Sequence, residues 1–392
     1  MFQFSTEELT KMGAEITTRE IKQQPELWQE AFTYYKENVE RIDAFLTDVK
    51  KASEGKVRII FTGAGTSQYV GDTVKPYLNK VGDNRHFVFE SIGTTDIVAA
   101  PEEYLQPDEW TILVSFARSG NSPESVAAVD VANKYVKNLR HITITCAPEG
   151  QLAKAATGDD HNLLLMMPTR ANDQGFAMTG SFSCMALTAL LVFDEKNNLD
   201  TKETYVKAMA TLGNEAIARE DEVQKIIDLD FDRIVYLGSG SLSGLTREAS
   251  LKVLELTAGK MATVFDSSMG FRHGPKSFIN EKTIMFVFVN NDTYTRQYDV
   301  DILEEVHADK IAPSVLGITQ KATETNFSGD NFVFEASDVT LPDGYATLPF
   351  LVVAQTVSLL SSIKVGNTPD TPSPTGTVNR VVKGVTIHPF EV

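Results

Sequence analysis

The chain repeats itself, and that repeat limits its fold more than any other feature. Arg58-Ile-Ile-Phe-Thr-Gly-Ala-Gly-Thr-Ser67 aligns with Arg233-Ile-Val-Tyr-Leu-Gly-Ser-Gly-Ser-Leu242, 175 residues further on. Each copy is an apolar run that enters a Gly-rich turn and then a helical pattern. Thr111–Phe116 aligns in the same way with Thr283–Phe288, and His141–Thr145 with Val315–Thr319. Asn162–Met167 and Asn331–Glu335 supply a fourth, shorter pair, and each half closes on an apolar helix, about 177–194 and about 347–364. Continuous apolar strands alternating with helices indicate a parallel sheet covered on both faces. The predicted fold class is therefore α/β: two tandem three-layer α/β/α domains with mainly parallel sheets, at 55–195 and 230–366. A helical arm at 1–54 precedes them, with a capping-box pattern at Ser5–Glu8 and Pro25 in a first helical turn. A charged helical linker (196–229) joins them, and a Pro/Thr/Gly-rich tail (367–392) follows. A length of 392 residues suits two domains.

Composition removes several classes of function. Lys+Arg number 36 and Asp+Glu 53, a net charge of −17, which argues against a nucleic-acid or anionic-membrane partner because those need a basic footprint. A small anion held by backbone N–H groups and a local cation stays open. The two cysteines, Cys146 and Cys184, form no close pair, so neither a disulfide scaffold nor a Cys-based metal site is expected, and a reducing cytoplasm is the natural setting. The first residues carry no basic-then-apolar leader pattern, and no apolar run reaches the ~18 residues of a spanning helix.

Three constellations carry chemistry. Gly63-Ala-Gly65-Thr66-Ser67 follows the first strand, where glycines let a ligand approach and the next helix offers N–H groups. A tight turn with Ser67 as helix cap is the structural alternative. Arg118-Ser119-Gly120-Asn121-Ser122 follows the second strand, and its hydroxyls, N–H donors and guanidinium suit a phosphate monoester; the alternative is a Ser/Gly surface loop with Ser122 capping a helix that begins at Pro123. The repeat is an internal control: Ser67 is matched by Leu242, and Ser119-Gly120 by Asn291-Asp292, so the hydroxyls are not needed to build the turn. In the second half, Glu248, Lys252 and Glu255 share one arc of a helix, as a general base or, more simply, as a solvated face with an ion pair. His273, in Phe271-Arg-His-Gly-Pro275, is a candidate proton shuttle. No His-x-x-x-His or similar cluster suggests a metal.

Taken together, these residues resemble the sugar isomerase (SIS) superfamily in its two-domain form. Gly65-Thr66-Ser67 and Arg118–Ser122 resemble its two phosphate loops, although Ala117 stands where the family usually has a serine. Arg247–Glu255 resembles its catalytic helix, Arg272–Pro275 its ring-opening histidine loop, and Val378–Lys383 a tail that brings Lys383 into the site. No glutaminase segment with a cysteine after the initiator Met is seen, residue 2 being Phe2, so the amine-releasing direction is expected. Within the superfamily, Thr18–Pro25 and Asn379–Phe390 resemble the AgaS group, named for galactosamine-6-phosphate deaminase/isomerase and formerly for tagatose-6-phosphate ketose/aldose isomerase.

The resemblance implies that Gly65, Thr66, Ser67, Arg118, Ser119, Gly120, Asn121 and Ser122 hold a sugar phosphate. It implies that His273 opens the ring, that Glu255 moves the proton between C2 and C1, and that Glu248 and Lys383 position the substrate or stabilise charge. No cofactor is expected. The partner is a small sugar phosphate, and an even homo-oligomer, a dimer or higher, with shared active sites is anticipated. A plain aldose–ketose isomerase, a non-catalytic sugar-phosphate sensor and a synthase using free ammonia are the competing readings.

Overall fold

A computed structural model describes residues 1–321, 325–382 and 384–391. The chain forms two compact units, each built on one five-stranded parallel sheet. The first unit comprises Leu27–Asp173, Gly180–Lys202 and Val378–Val392. Its strands are β1 (Val57–Thr62), β2 (Phe87–Ser91), β3 (Thr111–Ala117), β4 (Leu139–Thr145) and β5 (Asn162–Met166), in the order β2-β1-β3-β4-β5. The second unit comprises Met1–Glu26, Gln174–Thr179 and Glu203–Thr377. Its strands are β6 (Arg233–Gly238), β7 (Ala262–Ser267), β8 (Thr283–Phe288), β9 (Ser314–Gln320) and β10 (Asp330–Phe334). Their order, β10-β9-β8-β6-β7, is the same winding repeated. Flanking helices connect the strands in both units, so the α/β class with two successive parallel sheets is as the repeat predicts.

Four strands per half are legible in the sequence, and each sheet has a fifth. The additions are the edge strands β2 and β7. Side chains of β3 and β8 are buried along their whole length, whereas β7 is partly or fully exposed at every position. An edge strand with a wet side does not show the continuous apolar run that marks a central parallel strand.

The first sheet packs on the helix Gly180–Phe193, all of whose residues are buried. Phe193 meets Phe61, Phe87 and Phe89 edge-on, with ring centroids 5.6, 6.3 and 5.6 Å away. Asp173 fixes the start of this helix by accepting from Gly180 N (3.1 Å), Ser181 N (2.9 Å) and Ser181 Oγ (2.5 Å). In the second unit the matching helix is Asp343–Lys364. It is long and apolar enough to cross a membrane, yet 94% of its most apolar window is buried. Phe350 on it stacks with Phe288 and Phe334, which marks it as a core helix.

The two ends of the chain are divided otherwise than the sequence suggests. Residues 1–26 group with the second sheet, and the rest of the expected arm with the first. Polar anchors account for the placement of the N-terminus: Met1 N donates to Glu220 (2.5 Å), and Asp370 accepts from Ile16 N and Thr17 N (3.0 and 2.7 Å). Ser5 and Glu8 form the expected capping box. The tail likewise splits at Thr377, its last stretch joining the first unit.

Candidate functional site

The Gly-rich turns are architectural in both units. Gly65 and Gly240 adopt nearly the same left-handed backbone, φ/ψ 57°/−126° and 58°/−127°, which glycine reaches without a Cβ clash. A Cβ on Gly63 would lie 2.5 Å from the Ser67 carbonyl carbon, and one on Gly238 would lie 2.8 Å from the Leu242 oxygen. The glycines therefore build the same strand-to-helix turn in both units. Gly65, not Ser67, is the N-cap of the helix Thr66–Val81, which corrects the reading of Ser67 as a cap. Thr66 and Ser67 form its first turn and are almost buried, 5% and 6% exposed.

The second loop leaves the adjacent strand. Thr62 of β1 pairs with Ser115 of β3, so 63–67 and 118–122 emerge side by side from the carboxyl edge of the sheet. The chain winds outward from this point in both directions, to β2 on one side and to β3–β5 on the other. In open α/β sheets such a switch point leaves a crevice for a ligand. Ser122 takes the N-cap position of the helix Pro123–Tyr135, as its sequence predicts, but its hydroxyl makes no capping hydrogen bond. Gly120 has φ +65°, and its carbonyl accepts from Leu152 N (3.2 Å). Asn121 Oδ1 accepts from Gln151 N (3.0 Å), and Asn121 N donates to Ser119 Oγ (3.3 Å). Asn121 thus braces the loop against the start of the helix Gln151–Ala156. Arg118 is buried, and its Nη2 donates to the Arg380 carbonyl at 2.8 Å.

The second unit shows what the same crevice looks like when it is filled. Asp299 lies fully buried at the switch point of its sheet. It accepts from Ser239 Oγ (2.6 Å) after β6, Ser268 Oγ (2.5 Å) after β7, and Asn290 N and Nδ2 (3.0 and 2.7 Å) after β8. Burial pushes its carboxyl above the ordinary range, and these four donors pull against that push. The next two backbone donors, Asn291 N and Asp292 N, go to Asp343 (2.6 and 3.3 Å). Three successive N–H groups form an anion-seeking nest, and here the chain's own carboxylates occupy it. Counted along the strands, the first unit has Ala64 opposite Ser239 and Arg118 opposite Asn290; seven residues beyond the helix cap it has Val129 opposite Asp299. The loop 118–122 is also two residues longer than its counterpart when measured to the cap, so Ser119-Gly120 is an insertion and the pairing with Asn291-Asp292 holds only along the strand register.

The helix Ser241–Leu256 carries the second constellation. Glu248 and Lys252 are 0% and 1% exposed, so the solvated-face reading is corrected: these charges lie inside the protein. Lys252 Nζ lies 2.5 Å from Glu255 Oε2 and 3.5 Å from Glu248 Oε1. The buried Lys252 ammonium ties the two carboxylates together, and its loss would take a countercharge from both. Of the two acids, Glu255 is the one with an accessible side chain, 23% exposed. His273 is exposed, on a loop whose Gly274 has φ +126°. Arg272 Nε–Glu305 (2.6 Å), Lys276–Glu305 (2.7 Å) and Lys276–Asp309 (2.7 Å) tie that loop to the helix Thr293–Asp309. Lys383 lies outside the described residues.

Sequence reasoning missed Asp299, Glu305 and Arg380. Each is an ordinary charged residue in its local context, and its role comes from partners far away in the chain. Among the described residues no group of three His, Cys, Asp or Glu side chains forms a metal cluster. Both cysteines are buried, and burial pushes their thiols up.

Residues 53–193 match the SIS domain family. An Escherichia coli protein named D-galactosamine-6-phosphate deaminase AgaS is 41% identical over 382 residues, covering 96% of each chain. A crystal structure from Clostridium novyi NT, provisionally assigned as a tagatose-6-phosphate ketose/aldose isomerase, is 42% identical with a TM-score of 0.91, and the match covers 100% of this chain and 99% of that one. The tagatose-6-phosphate ketose/aldose isomerase structure from Escherichia coli is 38% identical, with a TM-score of 0.83 and coverage of 96% and 97%.

Proposed function

This chain belongs to the AgaS family of SIS-domain proteins, and from that premise we propose that it is a D-galactosamine-6-phosphate deaminase/isomerase. The reaction converts the amino-sugar phosphate and water to tagatose 6-phosphate and ammonia. The observation that carries the reading is the near-full-length likeness to a relative that bears this activity in its name.

The roles follow from chemistry. Thr66, Ser67, Ser119 and Ser122, with the backbone of Gly65 and Gly120, hold the phosphate at the switch point of the first sheet. Arg118 lends its charge, and Asn121 keeps the loop in shape. Binding the inert phosphate fixes the reacting carbons, converting binding energy into orientation. His273 passes a proton between the ring oxygen and O1, opening the ring to the aldehyde. Glu255 takes the C2 proton, and the electron pair forms the C1–C2 double bond while O1 takes a proton from water, giving the enol. Return of that proton to C1 leaves an imine at C2. Water adds to the imine carbon, and ammonia departs with the C–N bonding pair. Lys252 stabilises the Glu255 carboxylate and Glu248 fixes Lys252. Lys383 is assigned to charge stabilisation near the site. Only side chains and water take part. An even homo-oligomer, a cytoplasmic setting and the lack of nucleic-acid or membrane partners belong to the same proposal.

A plain tagatose-6-phosphate ketose/aldose isomerase is the second reading, favoured by the name of the E. coli structure. It uses the same C2 proton abstraction without amine loss. Incubation with galactosamine 6-phosphate, and with glucosamine 6-phosphate in parallel, separates the two when ammonia and ketose phosphate are measured. Ammonia from the galacto substrate supports the deaminase. No ammonia from either, together with interconversion of tagatose 6-phosphate and its aldose, moves the function to the isomerase. In either case Glu255→Gln should lower kcat by about 10²–10⁴-fold, the usual contribution of general acid–base catalysis, with little change in binding. Turnover near wild type in that variant would remove Glu255 from the mechanism.

A further inference from the structure

We infer that Arg118 and Arg380 form a latch that couples the phosphate loop to the C-terminal strap 378–392, making Arg380 a positioning residue for turnover. Three observations within the first unit carry this. Arg118, at the head of the loop 118–122, spends Nη2 on the Arg380 carbonyl at 2.8 Å. The Arg380 side chain reaches back to the unit: its Nε donates to the Asp173 carbonyl at 3.0 Å, and its Nη2 donates to the same carbonyl and to Asn172 Oδ1 (3.3 Å). Asp173 is itself rigid, because its carboxylate caps the buried helix Gly180–Phe193. One arginine therefore grips the strap from the loop, and the other locks the same point of the strap onto a helix cap.

The strap has a second pin at its far end. The Phe390 ring meets Tyr135 at 5.9 Å and 66°, beside the core cluster under the helix Pro123–Tyr135. Between the pins Val382, Val385 and Ile387 are 49%, 37% and 37% exposed. A chain pinned at two ends and exposed at Val382, Val385 and Ile387 is held in place without being packed down. Arg118 offers five N–H donors in a planar fork. An anion in the loop and a docked strap would therefore both act on this one guanidinium.

The catalytic part of this inference rests on the proposed deaminase activity, and the structural part does not. The test measures hydrogen exchange in peptides covering 378–392, inorganic-phosphate affinity by calorimetry, and kcat and KM for galactosamine 6-phosphate. Three proteins are compared: wild type, Arg380→Ala and Arg118→Lys. The latch predicts strap exchange at least about tenfold faster in both variants. For Arg380→Ala it also predicts a kcat about tenfold lower, with the phosphate Kd within about threefold of wild type. In the wild type, inorganic phosphate should slow strap exchange, and in Arg118→Lys it should slow it less. Strap exchange unchanged in Arg380→Ala would overturn the latch. A freed strap with kcat unchanged would overturn its role in turnover. If Arg118→Lys fails to fold, Arg380→Ala alone decides, since Arg380 is half-buried where Arg118 is buried. Absence of turnover in the wild type itself would sink the deaminase reading, and the exchange and phosphate arms would still decide the latch.

Discussion

Asp299 gives the sharpest stability test in the molecule. Four donors converge on its two carboxylate oxygens: the hydroxyls of Ser239 and Ser268, and two N–H groups of Asn290. In Asp299→Ala the hydroxyls can rotate to other acceptors, but the buried backbone N–H of Asn290 cannot; the Asn290 side-chain amide keeps the Ser239 carbonyl at 3.2 Å and loses one of its two bonds. Each stranded donor costs about 1–3 kcal/mol, and the lost bonds to a charged acceptor add to this, so the variant should lose roughly 4 kcal/mol. Asp299→Asn behaves differently. Its oxygen can face Asn290, and its NH₂ can face the two serines, whose hydroxyls turn to accept. Only the charge assistance is lost, and removing a buried charge offsets part of it, so the expected cost is about 1–2 kcal/mol. Urea unfolding should be followed by circular dichroism together with hydrogen exchange in β6 and β8. Tryptophan fluorescence alone would mislead, because Trp28 and Trp110 both belong to the first unit. An alanine variant within about 1 kcal/mol of wild type, or an asparagine variant less stable than the alanine, would refute the donor accounting.

Two further predictions follow from single residues. His141 is buried in β4 with Nε2 2.9 Å from Asn133 Oδ1, and burial lowers its pKa from 6.5 to about 4. Between those values the unfolded chain binds the extra proton and the native one does not, so native stability falls as pH drops through this window, by roughly 3 kcal/mol at its lower end; His141→Gln should flatten that part of the pH–stability profile, and an unchanged slope would clear His141 of the effect. Glu305 holds both basic residues that flank His273. Partly exposed ion pairs contribute only about 0–1 kcal/mol each, so Glu305→Gln should barely change the urea midpoint yet lower kcat several-fold through a looser His273 loop, and an unaltered kcat would show that the loop needs no clamp.

The sequence carries the architecture because buried parallel strands must be apolar throughout, and the chain displays that pattern twice. It conceals β2 and β7, because a half-wet edge strand does not need the pattern. It conveys which residue types gather after β1 and β3, since Gly, Ser and Thr are rare enough together to stand out. It misjudges Glu248 and Lys252 for a physical reason: charges at i and i+4 look alike on a wet helix face and in a core. Asp299, Glu305 and Arg380 could not be read at all. Each is one charge in a polar neighbourhood, and only the fold brings it to the donors or acids that give it a task.

The two units also show how a duplicated fold can divide its labour. Both sheets end at a switch point that gathers outward-facing N–H groups and hydroxyls, and such a place favours negative charge. In the second unit that demand is met internally: Asp299 and Asp343 accept three successive backbone N–H groups. A phosphate there would have to displace two tethered carboxylates and would meet their repulsion. In the first unit Val129 stands opposite Asp299 and Ala64 opposite Ser239, the loop is longer and an arginine enters it. One electrostatic environment is thus satisfied in two ways, by the chain's own acids in one unit and, in the proposed function, by a substrate phosphate in the other. In that same proposal the second unit's other charges, on the helix of Glu248, Lys252 and Glu255 and on the His273 loop, are assigned to proton transfer.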